Sequence, residues 1–182
     1  MDGCAMLVVI TGGPGSGKST LIEALRHHGF AAMPEAGRAI IREQVAVGGP
    51  ALPWADPGLF AELMLSWDLR SYREAPADGT VLFDRGVVDV AAYLALSGRP
   101  VPPHVRAAAA TVRYGRAFAA PPWPEIYERD AERKQDLDEA ERTYAACVAA
   151  YEEYGYDLVT LPRASVGERA RFVIRALGQA GG

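Results

Sequence analysis

The chain has 182 residues, 49% of them apolar, and a formal net charge of −4. That size suits one α/β domain with a substantial core. The charge argues against a broad electrostatic grip on nucleic acid. Two cysteines, Cys4 and Cys147, have no metal-ligand spacing, and no apolar run approaches the roughly 20 residues that span a bilayer. The expectation is a reduced, cytoplasmic protein that does not enter a membrane, acting as a monomer or homodimer.

The first strand is predicted over Ala5–Thr11, a continuous β-branched run of the kind buried in parallel sheets. It leads into Gly12-Gly13-Pro14-Gly15-Ser16-Gly17-Lys18-Ser19-Thr20, which fits G-x-x-x-x-G-K-[ST]. Glycines there let successive backbone N–H groups cup phosphate oxygens. Lys18 is expected to reach the β- and γ-phosphates, and the Ser19 hydroxyl to ligate Mg²⁺. Residues Gly13, Pro14, Gly15, Ser16, Gly17, Lys18, Ser19 and Thr20 are thus assigned to ATP. The chain has only two lysines, Lys18 and Lys134, against seventeen arginines. A compact ammonium at this one point suits an enclosed phosphate loop better than a planar guanidinium.

A helix follows from Lys18 to about His28, with Gly29 as its C′ residue. Phe30–Met33 reads as the second strand, and Ala36–Val47 as a helix stopped by Gly48-Gly49-Pro50. Between them, Glu35 stands where a carboxylate could take the proton of an attacking hydroxyl. Arg38, one turn on, shares its face. The competing reading of Pro34-Glu35 is a simple helix opening. Asp56-Pro57 is an N-cap followed by Pro at N1, opening a helix to about Glu74 whose Leu59, Phe60, Leu63, Met64 and Trp67 form a core stripe. Trp54 and Asp68 are candidates for an acceptor site, or ordinary surface.

Thr80–Phe83 is the third strand, closed by Asp84-Arg85-Gly86. Asp84 is expected to complete the Mg²⁺ environment and Arg85 to meet a phosphate or substrate group. The alternative is a helix cap beside a surface ion pair. Helices are predicted over Val87–Leu96 and Val105–Thr111, and a fourth strand over Arg116–Ala120. The charged stretch Glu128–Arg142 leads into a helix ending near Gly155, with Arg129 and Arg133 on one face. They could close over a triphosphate as part of a lid at 125–142, or lie on a solvated mixed-charge helix. Asp157–Leu161 is the fifth strand, and Ser165-Val166-Gly167-Glu168 a capping box opening the last helix. Strands alternating with helices predict a mostly parallel sheet covered on both faces, with ligands at the carboxyl ends of the strands.

With these motifs in order, the chain resembles the small AAA-domain, kinase-like P-loop ATPases that include the ribosylnicotinamide kinase domain. A wider similarity extends to deoxynucleoside and nucleoside monophosphate kinases. The resemblance covers nearly the whole chain and implies a three-layer P-loop fold with five strands in the order 2-3-1-4-5. It implies Glu35 as general base, Asp84 and Arg85 as the acidic-Arg motif, Arg129 and Arg133 as lid arginines, and Arg163, in the loop after the last strand, near the adenine. No separate C-terminal helical domain and no sensor or finger motif of a ring ATPase is found.

The expected function is an ATP- and Mg²⁺-dependent transfer of phosphate to a hydroxyl of a small molecule. Glu35, Arg38, Trp54, Asp68 and Arg85 are the acceptor-site candidates. The alternative is a regulatory ATPase or switch that signals through a protein partner with the same loop, Glu35 then being structural.

Overall fold

A computed structural model describes residues 5–123 and 133–178, with the backbone alone over 133–136. Its core is a five-stranded sheet in the order β2-β3-β1-β4-β5, formed by Ala31–Met33 (β2), Thr80–Asp84 (β3), Met6–Gly12 (β1), Arg116–Ala120 (β4) and Leu158–Thr160 (β5). All four pairings are parallel. In register, Val9 lies between Phe83 and Ala117, and Ile10 between Asp84 and Phe118.

Strand periodicity sorts the core into two layers. Val8 and Ile10 of β1, Leu82 of β3 and Phe118 of β4 face one side. There they pack on Leu21, Ile22 and Leu25 of α1 (Lys18–His27) and on Ala170, Val173 and Leu177 of the last helix, Val166–Gly178. Val9, Val81, Phe83 and Ala117 face the other side. That layer is covered by α3 (Pro57–Glu74), α4 (Val87–Leu96), α5 (Pro103–Thr111) and α6 (Arg133–Glu153). The last helix is therefore α7, and α2 (Ala36–Val47) joins α3 through a small cluster of Ala36, Ile40 and Phe60. Each buried side chain of this size contributes roughly 1.5–3 kcal/mol, so the apolar run of β1, buried on both faces, anchors the fold.

The caps are where local chemistry demands them. The Asp56 carboxylate accepts from the Leu59 N–H at 3.0 Å, ahead of Pro57 at the first turn of α3. Glu168 accepts from the Ser165 N–H at 3.0 Å and its hydroxyl at 2.6 Å, the reciprocal arrangement that opens α7. Several predicted bounds shift by a residue or two: β2 begins at Ala31, α5 at Pro103, and β5 spans Leu158–Thr160. One expectation on α3 is corrected. Leu59 is exposed, because it lies in the first turn beyond the stripe that meets the sheet, and Ala61 and Leu65 are buried in its place.

Candidate active site

The site is built at the carboxyl ends of β1, β2 and β3. After β1 the chain turns through the phosphate loop into α1. The loop lies against the backbone of α6, and a Cβ on Gly13 would collide with the Ala140 carbonyl, so this position admits only glycine. Inside the loop the Ser16 hydroxyl donates to the Gly13 carbonyl at 2.9 Å. Lys18 is buried, and its Nζ donates to the carbonyls of Gly13 (2.6 Å) and Gly12 (3.2 Å) and to Ser16 Oγ (3.2 Å). Burial, reinforced by the Arg85 charge, lowers its pKa from the usual 10.5 to about 8, against the pull of Asp84, Asp89 and Glu35. An ammonium kept expensive in this way binds an anion more strongly than a solvated one.

Ser19, one residue on, donates its hydroxyl to Asp84 Oδ2 at 2.8 Å. The other carboxylate oxygen, Asp84 Oδ1, is buried with no hydrogen-bond partner among the described residues. An orphaned anionic oxygen is costly, and here it stands beside a hydroxyl at the mouth of a phosphate loop. Two hard oxygen donors of this kind suit Mg²⁺, which takes one or two protein ligands and completes its shell with water and phosphate oxygens. The residues therefore fit the cation, and Ser19 and Asp84 are the ones that would hold it.

Arg85 follows Asp84 with φ of 69°, the one positive-φ residue other than glycine among those described. Such a conformation costs on the order of 1–3 kcal/mol and persists where the surroundings enforce it. The enforcing contacts are visible: the Arg85 N–H donates to the Ile10 carbonyl at 3.0 Å, and its guanidinium pairs with Asp89 at 3.3 Å. Burial opposes the Arg85 charge, but Asp89 and the neighbouring Cys147, Asp84 and Glu35 outweigh it and hold the guanidinium more firmly protonated.

Asp89, in the first turn of α4, went unnoticed in the sequence. It is buried and accepts from Thr11 Oγ1 (2.5 Å), the Gly86 N–H (2.9 Å) and the Tyr151 hydroxyl (2.8 Å), besides Arg85. It thereby ties β1, the turn after β3, α4 and α6 together behind the site. The readable signal was a lone acid within the apolar run Val87–Leu96. Gly86 gives this turn its room, since a Cβ there would run into the Tyr114 hydroxyl.

Arg169 is the second residue the sequence reading missed. It is buried in α7, donates to the Ser16 carbonyl at 2.8 Å, and leaves its Nε without a partner among the described residues. Burial lowers its pKa. Its position just past the Ser165–Glu168 capping box marks it as helical, but nothing in the sequence says that its face meets the loop.

Glu35 is the N-cap of α2, in extended conformation, but its side chain caps no N–H; it pairs with Arg38 at 3.2 Å. Burial and then the Asp84 charge raise its pKa, opposed by Arg38 and Arg85. Glu35 lines a cavity of about 290 Å³. The same cavity is lined by Pro14 of the phosphate loop, by Arg85 and Asp89, and by Asp68, Phe60, Met64 and Tyr93 from α3 and α4. Glu139, Thr143 and Cys147 of α6 close a further side. Burial and then Asp89 push the Cys147 thiol up to about 11, so it is an unreactive wall.

Asp68 lies on the buried stripe of α3, seven residues after Ala61 and three after Leu65. Burial, then the charge of Asp89, raises its pKa well above the usual 3.8, with Arg85 opposing. An acid with a raised folded-state pKa binds extra protons in the folded state, so its contribution to stability falls as pH rises from 3.8 through the folded value. Asp68→Asn is therefore expected to stabilise the fold by about 0.5–2 kcal/mol at neutral pH, as substitutions relieving a costly functional site do. The gain should vanish in acid, below the unfolded value. Urea denaturation of both proteins across pH checks the expectation, and equal stability at neutral pH would refute it.

Trp54 is 68% exposed, and its neighbour Pro53 lines the cavity instead. Arg38 lines it too. Arg163 is exposed in the loop between β5 and α7. Arg129 lies outside the described residues. Arg133 begins α6, its side chain outside them, and the predicted lid at 125–142 is described only from residue 133.

A parallel sheet in the order 2-3-1-4-5, with a phosphate loop after its central strand and an acid at the end of the neighbouring one, defines a P-loop protein of the kinase-like class. The model of the AAA domain family matches residues 7–169, and the chain belongs to that family. Among solved structures it is similar to the NadR protein in complex with NR, at a TM-score of 0.71 and 19% identity over 96% of this chain. The chain spans about half (49%) of that NadR chain. It is also similar to thymidylate kinase from Ehrlichia chaffeensis (TM-score 0.66, 12% identity, 96% of this chain and 100% of that one). Deoxyadenosine kinase from M. mycoides with bound dATP follows (TM-score 0.62, 14% identity, 95% and 99%). At these identities the likeness is one of fold. No curated protein matches the sequence. Among the described residues, no helix is long and apolar enough to cross a membrane.

Proposed function

We propose that the protein is an ATP- and Mg²⁺-dependent phosphotransferase acting on a hydroxyl of a small molecule. One observation carries this reading: a single cavity touches the phosphate loop at Pro14 and is also lined by both Glu35 and Arg85. A switch that works through a protein partner has no need of a ligand-sized cavity beside its phosphate loop.

In this reading Lys18 exchanges the loop carbonyls for phosphate oxygens, and Ser19 and Asp84 hold the cation. Mg²⁺, when bound, neutralises phosphate charge and so lowers the cost of transfer. Glu35 accepts the acceptor's hydroxyl proton as the oxygen forms its bond to the γ-phosphorus. The bond from that phosphorus to the β-bridging oxygen breaks, and ADP leaves with its electron pair. Arg85, with Arg129 and Arg133 from the 125–142 segment, stabilises the charge on the transferred group. Asp89 keeps Arg85 aimed at the cavity.

The test is ATP consumption by the purified protein with and without a panel of nucleosides, sugars and amino alcohols. Hydrolysis alone should be slow, and at least one hydroxyl compound should raise turnover tenfold or more with a phosphorylated product. Consumption indifferent to every acceptor, with nucleotide-dependent capture of a protein, would replace this reading by the regulatory one.

A further inference from the structure

Lys18 is not the only buried cation that grips the phosphate loop. Arg169 reaches the loop from near the start of α7 and is only 5% exposed. Its guanidinium donates to the Ser16 carbonyl at 2.8 Å and fills the space beside Gly17, where a Cβ would stand 2.9 Å from it. Ser16 is itself buried, donates its hydroxyl to the Gly13 carbonyl, and accepts from Lys18 Nζ. The two cations thus hold one residue, Lys18 at its side chain and Arg169 at its backbone. Helix α7 is a firm base for that contact. Its capping box fixes where it starts, and Ala170, Val173 and Leu177 share a core layer with Leu21, Ile22 and Leu25 of α1.

Among the described residues Arg169 has no carboxylate partner, and its Nε has no hydrogen-bond partner. A buried guanidinium without a counter-charge is costly, and an aliphatic residue would pack there at lower cost. A counter-charge that arrives with a ligand explains why the arginine is kept, and the loop it touches is built for a polyanion. The geometry also shows how the charge can act. A trans peptide is planar, with its C=O and N–H pointing in opposite directions. With the Ser16 carbonyl turned to Arg169, the Gly17 N–H points away from α7. A cation on the carbonyl oxygen polarises the same peptide and strengthens its N–H as a donor.

We propose that Arg169 is a positioning residue of the nucleotide site, locking the Ser16–Gly17 peptide with its N–H presented to the phosphates, and that the bound di- or triphosphate balances its charge. It acts through the backbone and need not touch the nucleotide. The inference concerns the nucleotide alone, so it holds whether the loop serves a kinase or a regulatory ATPase.

Nucleotide binding, measured apart from turnover, decides the matter. The full chain is titrated calorimetrically with ADP and Mg²⁺, at a temperature where every variant is folded. Arg169→Met keeps the packing of the stem and removes the charge and its donors. It should weaken ADP binding by about 10- to 100-fold, the range that a charge-assisted hydrogen bond covers. Adenosine, which brings no phosphate, should bind the variant as it binds wild type. Arg169→Lys restores a charged donor and should recover at least fivefold of the lost ADP affinity. Arg169→Leu serves in place of the methionine variant if that one fails to fold.

A loss of ADP affinity under tenfold would overturn the proposal. So would an equal loss for adenosine, the mark of a general disturbance near the loop, or a lysine variant that binds ADP no better than the methionine one. The expected ADP result without acceptor-dependent ATP consumption would leave this inference standing and remove the phosphotransfer reading. Acceptor-dependent transfer with ADP affinity unmoved in Arg169→Met would do the reverse.

Discussion

Glu35→Gln is expected to lower acceptor-dependent turnover by about 10²–10⁴-fold, the range a positioned general base contributes, while ATP affinity stays within about twofold. The amide keeps the size of the side chain and its place at the start of α2, so a collapse in rate reports the lost proton acceptor. Wild-type kcat/KM should fall on the acid side as Glu35 becomes protonated. Because burial and Asp84 raise that carboxyl's pKa, the acid limb should lie above the usual carboxylate range. On the alkaline side, kcat/KM for ATP should fall near pH 8, where Lys18 loses its proton in the free enzyme. Glu35→Gln should erase the acid limb and leave the alkaline one. Near-normal turnover in the variant would remove the base assignment.

Asp89→Ala should destabilise the fold by about 3–5 kcal/mol, the cost of breaking a buried ion pair from one side. For a protein of this size that corresponds to a drop of roughly 6–20 °C in Tm. Five donors converge on the Asp89 carboxylate: Thr11, Arg85 and the Cys147 thiol on one oxygen, Gly86 and Tyr151 on the other. Asparagine recovers little, because its NH₂ would face at least two donors whichever way the amide is turned. Removal also frees Arg85, whose left-handed backbone Asp89 helps to enforce. Turnover should therefore fall more than the population of folded protein does, by ten- to a hundredfold at temperatures where the variant remains folded. A Tm within 2 °C of wild type, a difference worth under about 1 kcal/mol, would show that the Asp89 cluster does not anchor the fold.

Much of this architecture was legible in the order of residues. Strand β1 and its loop carry their own instructions: seven apolar or β-branched residues, then glycines spaced for phosphate, then Lys18. The caps at Asp56 and Ser165–Glu168 were readable because a cap is a contact between residues three apart. Asp84 and Glu35 could be marked because strand ends in a parallel sheet converge on one edge. Asp89 and Arg169 escaped because their partners are distant in the chain. Tyr151 lies 62 residues from Asp89, and Ser16 lies 153 from Arg169. Asp68 could be nominated but not placed, since a carboxylate on an amphipathic helix reads as solvent until the opposing wall is known.

The sequence by itself determined that a phosphate-binding loop follows the first strand of a parallel α/β sheet, because those signals are local and repeat the geometry of backbone and turn. Only the tertiary structure decided what stands opposite the loop. Glu35, Asp68 and Arg85 meet in one cavity because α2, α3 and the turn after β3 pack over the same sheet edge. How the carboxylates there are paired depends on burial and on side chains brought from far along the chain, and no spacing of residues encodes that.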